Sequence, residues 1–271
     1  MSGLRRKLAK GALAVLCIAV LAFGGFVAAL YSYQRELIYL VPDLDRTVPE
    51  GFVPVTYRTS DGLDLAAGYR PALAGQPTLL FFHGNGVDWQ TTYHTTELLA
   101  AYGYGVLAAE YRGYGGNPGV PDERGLYRDG NAAFDWLLAQ GVAADEIVLV
   151  GNSLGSGVAT ELAQHRDVRA LMLVSAFKSM SATAANAYPG VPVDWLLQDR
   201  FDNIAKIGAV SAPVLVVHGV EDRLIPLPHA RELAAARPGA QLVALPGLGH
   251  NMSGEPQAQL PQLLFLQGLG R

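Results

Sequence analysis

A chain of 271 residues, half of them hydrophobic and only 16% charged, has enough apolar side chains for one large α/β domain and too few charges for a disordered protein. Its formal charge is −4 and it contains no basic run of the kind that tracks a phosphate backbone, so nucleic acid is excluded as the expected partner. Cys17 is the single cysteine, which rules out an intrachain disulfide and a cysteine-built metal cluster.

Arg5, Arg6, Lys7 and Lys10 precede an uncharged run, GALAVLCIAVLAFGGFVAAL, over residues 11–30. A helix of about 20 residues crosses the roughly 30 Å hydrocarbon core of a bilayer, whereas the apolar core of a cleavable signal peptide is about 7–15 residues long. A single-pass, uncleaved signal anchor is therefore the expectation, with removal after Val27-Ala28-Ala29 as the alternative. The positive charges lie before the run, so the N-terminus is expected in the cytoplasm and everything after Leu30 on the non-cytoplasmic side, periplasmic in a bacterium. Tyr31 and Tyr33 suit the interface. Leu16 is too large for a lipoprotein signal, and Cys17 reads as a small apolar residue within the membrane. The expected organisation is an anchor over residues 1–31 and a folded domain over 32–271.

The domain begins with two strand-like runs, Phe52–Arg58 and Leu63–Tyr69, around the turn signal Ser60-Asp61-Gly62. Strands then alternate with helices. The strands are Thr78–His83, Gly105–Tyr111, Glu146–Val150, Ala170–Ser175, Pro213–His218 and Gln241–Leu245. Helix-like stretches are Thr91–Tyr102, Asp122–Gln140, Leu154–Gln164, Pro228–Ala236 and Pro256–Gln267. Continuous apolar strands separated by helices indicate a mostly parallel, eight-stranded sheet with helices on both faces. In such sheets the chemistry sits beyond the carboxyl ends of the strands.

One of those ends reads Gly151-Asn152-Ser153-Leu154-Gly155, a G-x-S-x-G pattern between a strand and a helix. A sharp strand-to-helix turn presents the serine hydroxyl above the sheet, and small neighbours relieve its crowding. The bland alternative is a glycine-rich turn with an N-capping serine. A serine needs a base to act as a nucleophile. Among the histidines, His250 follows the last strand in Pro246-Gly-Leu-Gly-His250, while His83 and His218 precede glycines as packed strand ends and His94, His165 and His229 fall on helices. A carboxylate must orient the imidazole, and Asp222, with Glu221 in reserve, follows the preceding strand. The expected catalytic set is Ser153, Asp222 and His250, in that chain order. Backbone N–H groups of Leu154, next to the serine, and of Asn85, in His83-Gly84-Asn85-Gly86, are the expected oxyanion donors. No phosphate-binding loop or paired-histidine metal motif is present, so neither cofactor nor metal is expected.

With these residues in place, the sequence resembles the α/β-hydrolase superfamily, and within it the Bem46-like, membrane-anchored serine hydrolases that include the alpha/beta hydrolase domain-containing proteins 13 and 17. The resemblance covers roughly Tyr33 to Asn251. It rests on Gln34-Arg-Glu-Leu-Ile-Tyr-Leu-Val-Pro42, Thr59-Ser-Asp-Gly-Leu63 and Phe82-His-Gly-Asn85. It continues through Tyr111-Arg-Gly-Tyr-Gly115, Gly119-Val-Pro-Asp-Glu-Arg-Gly-Leu126 and Asp129, then Gly151 to Gly155. Asp199-Arg-Phe-Asp202, His218-Gly-Val-Glu-Asp222 and Gly249-His-Asn251 complete it. The family pattern implies the same nucleophile, acid and base, the α/β-hydrolase fold and an N-terminal membrane anchor. Asn117 departs from it, since relatives tend to have serine after the YRGYG turn. The expected activity is hydrolysis of carboxylic esters or thioesters of a small-molecule, lipid or acylated substrate through an acyl-enzyme. A serine peptidase and a non-catalytic membrane-tethered binding protein are the alternatives. A short cap over about residues 178–212, with Trp195, Leu196 and Leu197, is expected to leave an open, shallow site for a flexible acyl chain, unless those residues simply pack on the core.

Overall fold

The computed structural model describes residues 2–42 and 47–270 of the chain. Helix α1 (Ser2–Ile38) comes first and contains the whole uncharged run. It does not stop where that run stops at Leu30, because Gln34 and its neighbours find partners on the domain that keep the helix wound. Gln34 Nε2 donates to the carbonyls of Tyr31 and Leu196 at 2.8 and 3.3 Å, and Gln34 Oε1 accepts from the Gln198 amide at 2.7 Å. At its C-terminus, where the last carbonyls of a helix lack internal partners, the Ile38 carbonyl accepts from Asn85 Nδ2 at 2.6 Å.

Strands β1 (Val53–Arg58) and β2 (Asp64–Arg70) form an antiparallel hairpin, with Gly62 at φ +90 in the turn. The chain then alternates through β3 (Thr78–Phe82), α2 (Thr92–Ala101), β4 (Gly105–Ala109), α3 (Glu123–Ala139), β5 (Ile147–Asn152), α4 (Gly155–Ala163) and β6 (Ala170–Val174). The short helices α5 (Met180–Ala187), α6 (Val193–Leu196) and α7 (Asn203–Lys206) fill the expected cap segment. Then come β7 (Val214–Gly219), α8 (Pro228–Ala236), β8 (Gln241–Leu245) and α9 (Pro256–Gly268). The eight strands make one sheet in the order β1-β2-β4-β3-β5-β6-β7-β8. Only the β1–β2 and β2–β4 pairings are antiparallel. This is the α/β-hydrolase fold.

Why the central strands read as unbroken apolar runs is visible in β3, where every residue is buried. Side chains alternate between sheet faces along a strand. Leu80 and Phe82 join Leu126, Phe134, Val158 and Leu233 in one core, beneath α3, α4 and α8. Leu79 and Phe81 join Leu99, Leu263 and Leu266 in the other, beneath α2 and α9. Parallel pairing, with Leu80 opposite Leu107 on one side and Leu149 on the other, brings the carboxyl ends of β3 and β5 to β8 to one edge.

The YRGYG turn after β4 is fixed by charge. Arg112 Nη2 pairs with Asp129 Oδ1 on α3 at 2.7 Å, and Arg112 Nη1 with Asp61 Oδ2 in the hairpin turn at 2.8 Å. Burial pushes the Asp129 carboxyl up despite its bonds to Arg112, while the Arg112 hydrogen bond holds Asp61 well below the usual carboxylate range. Asn117, the departure from the family pattern, completes the same corner. Its Oδ1 accepts from the Ala66 amide at 2.8 Å and its Nδ2 donates to the Ala66 carbonyl at 3.0 Å, as a neighbouring strand would. Removing one partner of a buried ion pair costs about 3–5 kcal/mol, against about 1 kcal/mol or less for an exposed one. Asp129→Ala should therefore lower the urea-unfolding stability of the detergent-solubilised protein by about 3–5 kcal/mol. Asp61→Ala, at a carboxylate with 33% side-chain exposure, should cost clearly less.

Candidate active site

At the end of β5 the backbone turns sharply into α4, and Ser153 sits in that turn at φ +49, in the left-handed region that a non-glycine residue enters only under strain. The turn closes because its neighbours lack side chains. A Cβ on Gly155 would run into the Phe82 carbonyl, and one on Gly151 would meet the Gly155 carbonyl and Ser156. The Ser153 amide donates to the Val174 carbonyl at 3.0 Å, and Ser156 Oγ donates to the Ser153 carbonyl at 2.6 Å, which fixes the turn from both sides.

His250, from the loop after β8, places Nε2 3.0 Å from Ser153 Oγ. Its Nδ1 lies 2.8 Å from Asp222 Oδ2, so the tautomer with the proton on Nδ1 leaves the Nε2 lone pair facing the serine. Asp222 Oδ1 accepts from the amides of Leu224 and Ile225 at 3.0 and 2.8 Å. Burial pushes the Asp222 carboxyl up, but the hydrogen bonds from His250 and Ile225 outweigh it and hold the group below its ordinary value. The carboxylate thus stays ionised beside the imidazole. Ser175, at φ +50 after β6, donates its hydroxyl to the His250 carbonyl at 2.9 Å and ties the loop down.

The His83-Gly84-Asn85-Gly86 loop lies against the elbow, close enough that a Cβ on Gly84 would stand 3.4 Å from Ser153 Cβ. Among the described residues, the amides of Asn85 and Leu154 donate to no protein acceptor. The Asn85 side chain is engaged elsewhere: Oδ1 accepts from the Leu40 amide at 2.7 Å and from Tyr114 Oη at 2.8 Å, and Nδ2 holds the end of α1. This loop is therefore braced by the N-terminal helix.

The residues not brought into the cluster have other work. Glu221 is exposed, and its amide bonds the Leu248 carbonyl. His83 is buried, with Nε2 2.5 Å from Glu110 Oε1. His218 donates Nε2 to the Ile225 carbonyl at 2.7 Å, and burial pushes its pKa down, so it backs Asp222 as a neutral ring. His229 Nδ1 accepts from the Lys178 amide at 3.2 Å, and His94 and His165 are exposed. Asp202 caps α7. Asp199 joins Arg35 of α1 at 3.1 Å to the first amide of α3 at 3.2 Å. That bond joins the QRELIYLVP and DRFD segments in a single contact.

Ser153 opens into a cavity of about 280 Å³ lined by Asn85, Leu154, the cap helices α5 and α6, Leu224 and Ile225, with no charged side chain among its lining residues. Leu30, Tyr31, Gln34, Leu37 and Ile38 form one wall. The sequence reading puts Leu30 and Tyr31 in the anchor and Gln34, Leu37 and Ile38 in the domain, and places none of them at the site; the signal that could have found the last three is the match of Gln34 to Pro42, which carries no catalytic candidate. Leu196 and Leu197 line the cavity, whereas Trp195 points away from it. The site has α1 as a side wall in addition to the short helices α5 and α6.

An α/β hydrolase family model matches residues 79–208, which hold β3 through α7. The uncharacterized protein Rv2307c of Mycobacterium tuberculosis is 39% identical over 249 residues, 89% of this chain and 88% of that one. Alpha/beta hydrolase domain-containing protein 17B of Xenopus laevis is 32% identical over 199 residues, 72% of this chain and 67% of that one. The chain belongs to the α/β-hydrolase family. Among solved structures, an alpha-beta hydrolase from Vibrio vulnificus matches this α/β-hydrolase with a TM-score of 0.71 at 21% identity, over 86% of this chain and 91% of that one. The Pyrococcus furiosus esterase Pf2001 matches with a TM-score of 0.69 at 17% identity, over 85% of this chain and 97% of that one. At these identities the structural likeness is one of fold.

Proposed function

We propose that this α/β-hydrolase cleaves carboxylic esters or thioesters through an acyl-enzyme on Ser153. The observation that carries the reading is the hydrogen-bonded series Ser153–His250–Asp222, opening into an uncharged cavity. His250 Nε2 takes the Ser153 proton as Oγ attacks the carbonyl carbon. The Leu154 and Asn85 amides, without an acceptor among the described residues, take up the oxyanion, where one such donor is worth about 10²–10³ in turnover. Collapse of the tetrahedral intermediate breaks the C–O or C–S bond, and His250 returns the proton to the leaving alcohol or thiol. His250 then takes a proton from water as that water attacks the acyl group, and the second collapse releases the acid and regenerates Ser153. Asp222 holds the imidazole in the reactive tautomer and balances its charge throughout.

An uncharged wall favours an aliphatic acyl group and offers nothing to pair with a peptide terminus, which is why esters and thioesters are preferred over peptides as substrates. In this reading α1 is a signal anchor that crosses the membrane once and holds the domain on the non-cytoplasmic side. Its apolar run is long enough for that span.

A panel of p-nitrophenyl esters of increasing chain length, acyl thioesters and aminoacyl amides tests the proposal on the full-length protein. Turnover of esters or thioesters, with the amides at least 100-fold slower, is the expected result; amide cleavage at comparable rates, or no turnover of any of them, would overturn it.

A further inference from the structure

The position of the cavity along α1 fixes its position relative to a bilayer. Among the described residues, α1 is exposed from Gly3 to Phe26, and packing against the domain starts at Val27, which is half-buried, and Leu30. The uncharged run ends at Leu30, and the next charged residue is Arg35. Leu30 and Tyr31 are also wall residues of the cavity. If α1 spans the membrane, Val27 and Leu30 lie within about one helical turn, roughly 5 Å, of its surface on the apolar side. The cap is tied to the same helix one to two turns further on, at Gln34 and Arg35, and shares the cavity wall with Leu30.

What the cap presents there is apolar. Trp195 on α6 is 88% exposed, the most exposed large apolar side chain among the described residues. It adjoins Leu196, whose carbonyl is bonded to Gln34 of α1, so it is held beside the helix rather than at the far end of the domain. Leu224, at the cavity rim, is 57% exposed, and Tyr31 and Tyr33 stand out from α1 itself. An indole is the side chain most at home at the headgroup level, with an apolar ring and one polar N–H. Leu30, Tyr31, Leu196 and Leu224 line one cavity, and apolar surface gathered at an opening marks an interaction surface.

We infer that Trp195 of the cap and Leu224 of the loop after β7 dock on the bilayer leaflet in which α1 is seated, so that the cavity mouth opens at the lipid surface and the acyl substrate enters from the leaflet rather than from water. The occupant is the bilayer and not a protein partner because α1, latched to the cap through Gln34, Arg35 and Asp199, leaves the face no freedom to turn elsewhere. Docking stands on α1 and the cap alone; entry of substrate from the leaflet rests in addition on the hydrolase reading of Ser153.

The test uses the full-length protein and its Trp195→Phe variant in phosphatidylcholine vesicles. The difference between their emission spectra isolates Trp195 from the buried Trp89 and the half-buried Trp136. Phosphatidylcholine brominated near the carbonyl end of its acyl chains should quench that difference signal by half or more, while aqueous iodide should quench it little. A signal untouched by the brominated lipid and quenched by iodide would overturn the docking. A second measurement reads the consequence. Trp195→Ser should raise the KM for p-nitrophenyl palmitate carried in the vesicles by roughly tenfold, the effect of losing one large buried apolar contact, and leave kcat/KM for soluble p-nitrophenyl acetate unchanged. Equal loss on both esters, or on neither, would contradict entry from the leaflet. If neither ester is hydrolysed by the wild type while the lipid quenching stands, docking is upheld and the hydrolase reading is what fails.

Discussion

Ser153→Ala should abolish ester hydrolysis, with kcat falling on the order of 10⁶-fold, as expected where nucleophile and base act as one unit. The substitution deletes a single oxygen, and the hydrogen bond it makes is to His250 alone. The backbone bonds that shape the elbow, from Ser153 N–H to Val174 and from Ser156 to the Ser153 carbonyl, do not use the side chain. The variant should consequently fold with an unchanged melting temperature, and an alanine at φ +49 should meet no more strain than the serine did. Loss of activity together with loss of fold would point to a structural serine; loss of activity in a fully folded protein would point to the nucleophile. Residual turnover near the wild-type level would end the account.

Asp222→Asn should leave the geometry in place and still reduce kcat by about 10⁴-fold. The reason is the tautomer. Asp222 now accepts at Oδ2 from His250 and at Oδ1 from two amides. In the variant, Oδ1 remains the acceptor for Leu224 and Ile225, so the new amide nitrogen faces His250 Nδ1. That nitrogen can only donate, which forces the imidazole proton onto Nε2 and removes the lone pair that Ser153 needs. Because the hydrogen bonds from His250 and Ile225 hold Asp222 below its ordinary pKa, mild acidification leaves its carboxylate ionised. A pH–rate profile of kcat/KM should therefore show no step from Asp222 protonation in the ordinary carboxylate range.

The parts of the molecule that could be read from sequence are those whose cause is local. The strands of β3, β4, β6 and β7 are buried on both faces, so their residues form runs without a polar break, and the turn at Gly151 to Gly155 carries its own steric logic in five residues. The histidine and aspartate proposed as base and acid could be sought at strand ends because a parallel sheet collects such residues on one edge. Strand ends were less legible: β4 stops at Ala109, and Glu110 and Tyr111 leave the ladder because the Glu110 carboxylate is taken by His83 and the Trp89 amide.

The contacts that sequence did not reveal join distant segments. Arg35 meets Asp199, and Asn85 meets Ile38, across stretches of chain with no pattern of their own. An apolar run followed by aromatic residues reads as an anchor and its boundary, and nothing in its composition says that its last turns wall a cavity. Trp195-Leu-Leu197 shows the same limit at close range. Its neighbours Leu196 and Leu197 face the cavity while Trp195 faces out, a difference set by where a four-residue helix happens to point.

The central claim is that Ser153 is the activated nucleophile of a hydrolase. Labelling the native full-length protein with a fluorophosphonate, then mapping the adduct by peptide mass spectrometry, tests it most directly. The account predicts one adduct, on the peptide containing Ser153, lost in Ser153→Ala and blocked by prior heat denaturation. An unlabelled native protein, or an adduct that persists in Ser153→Ala, would contradict it.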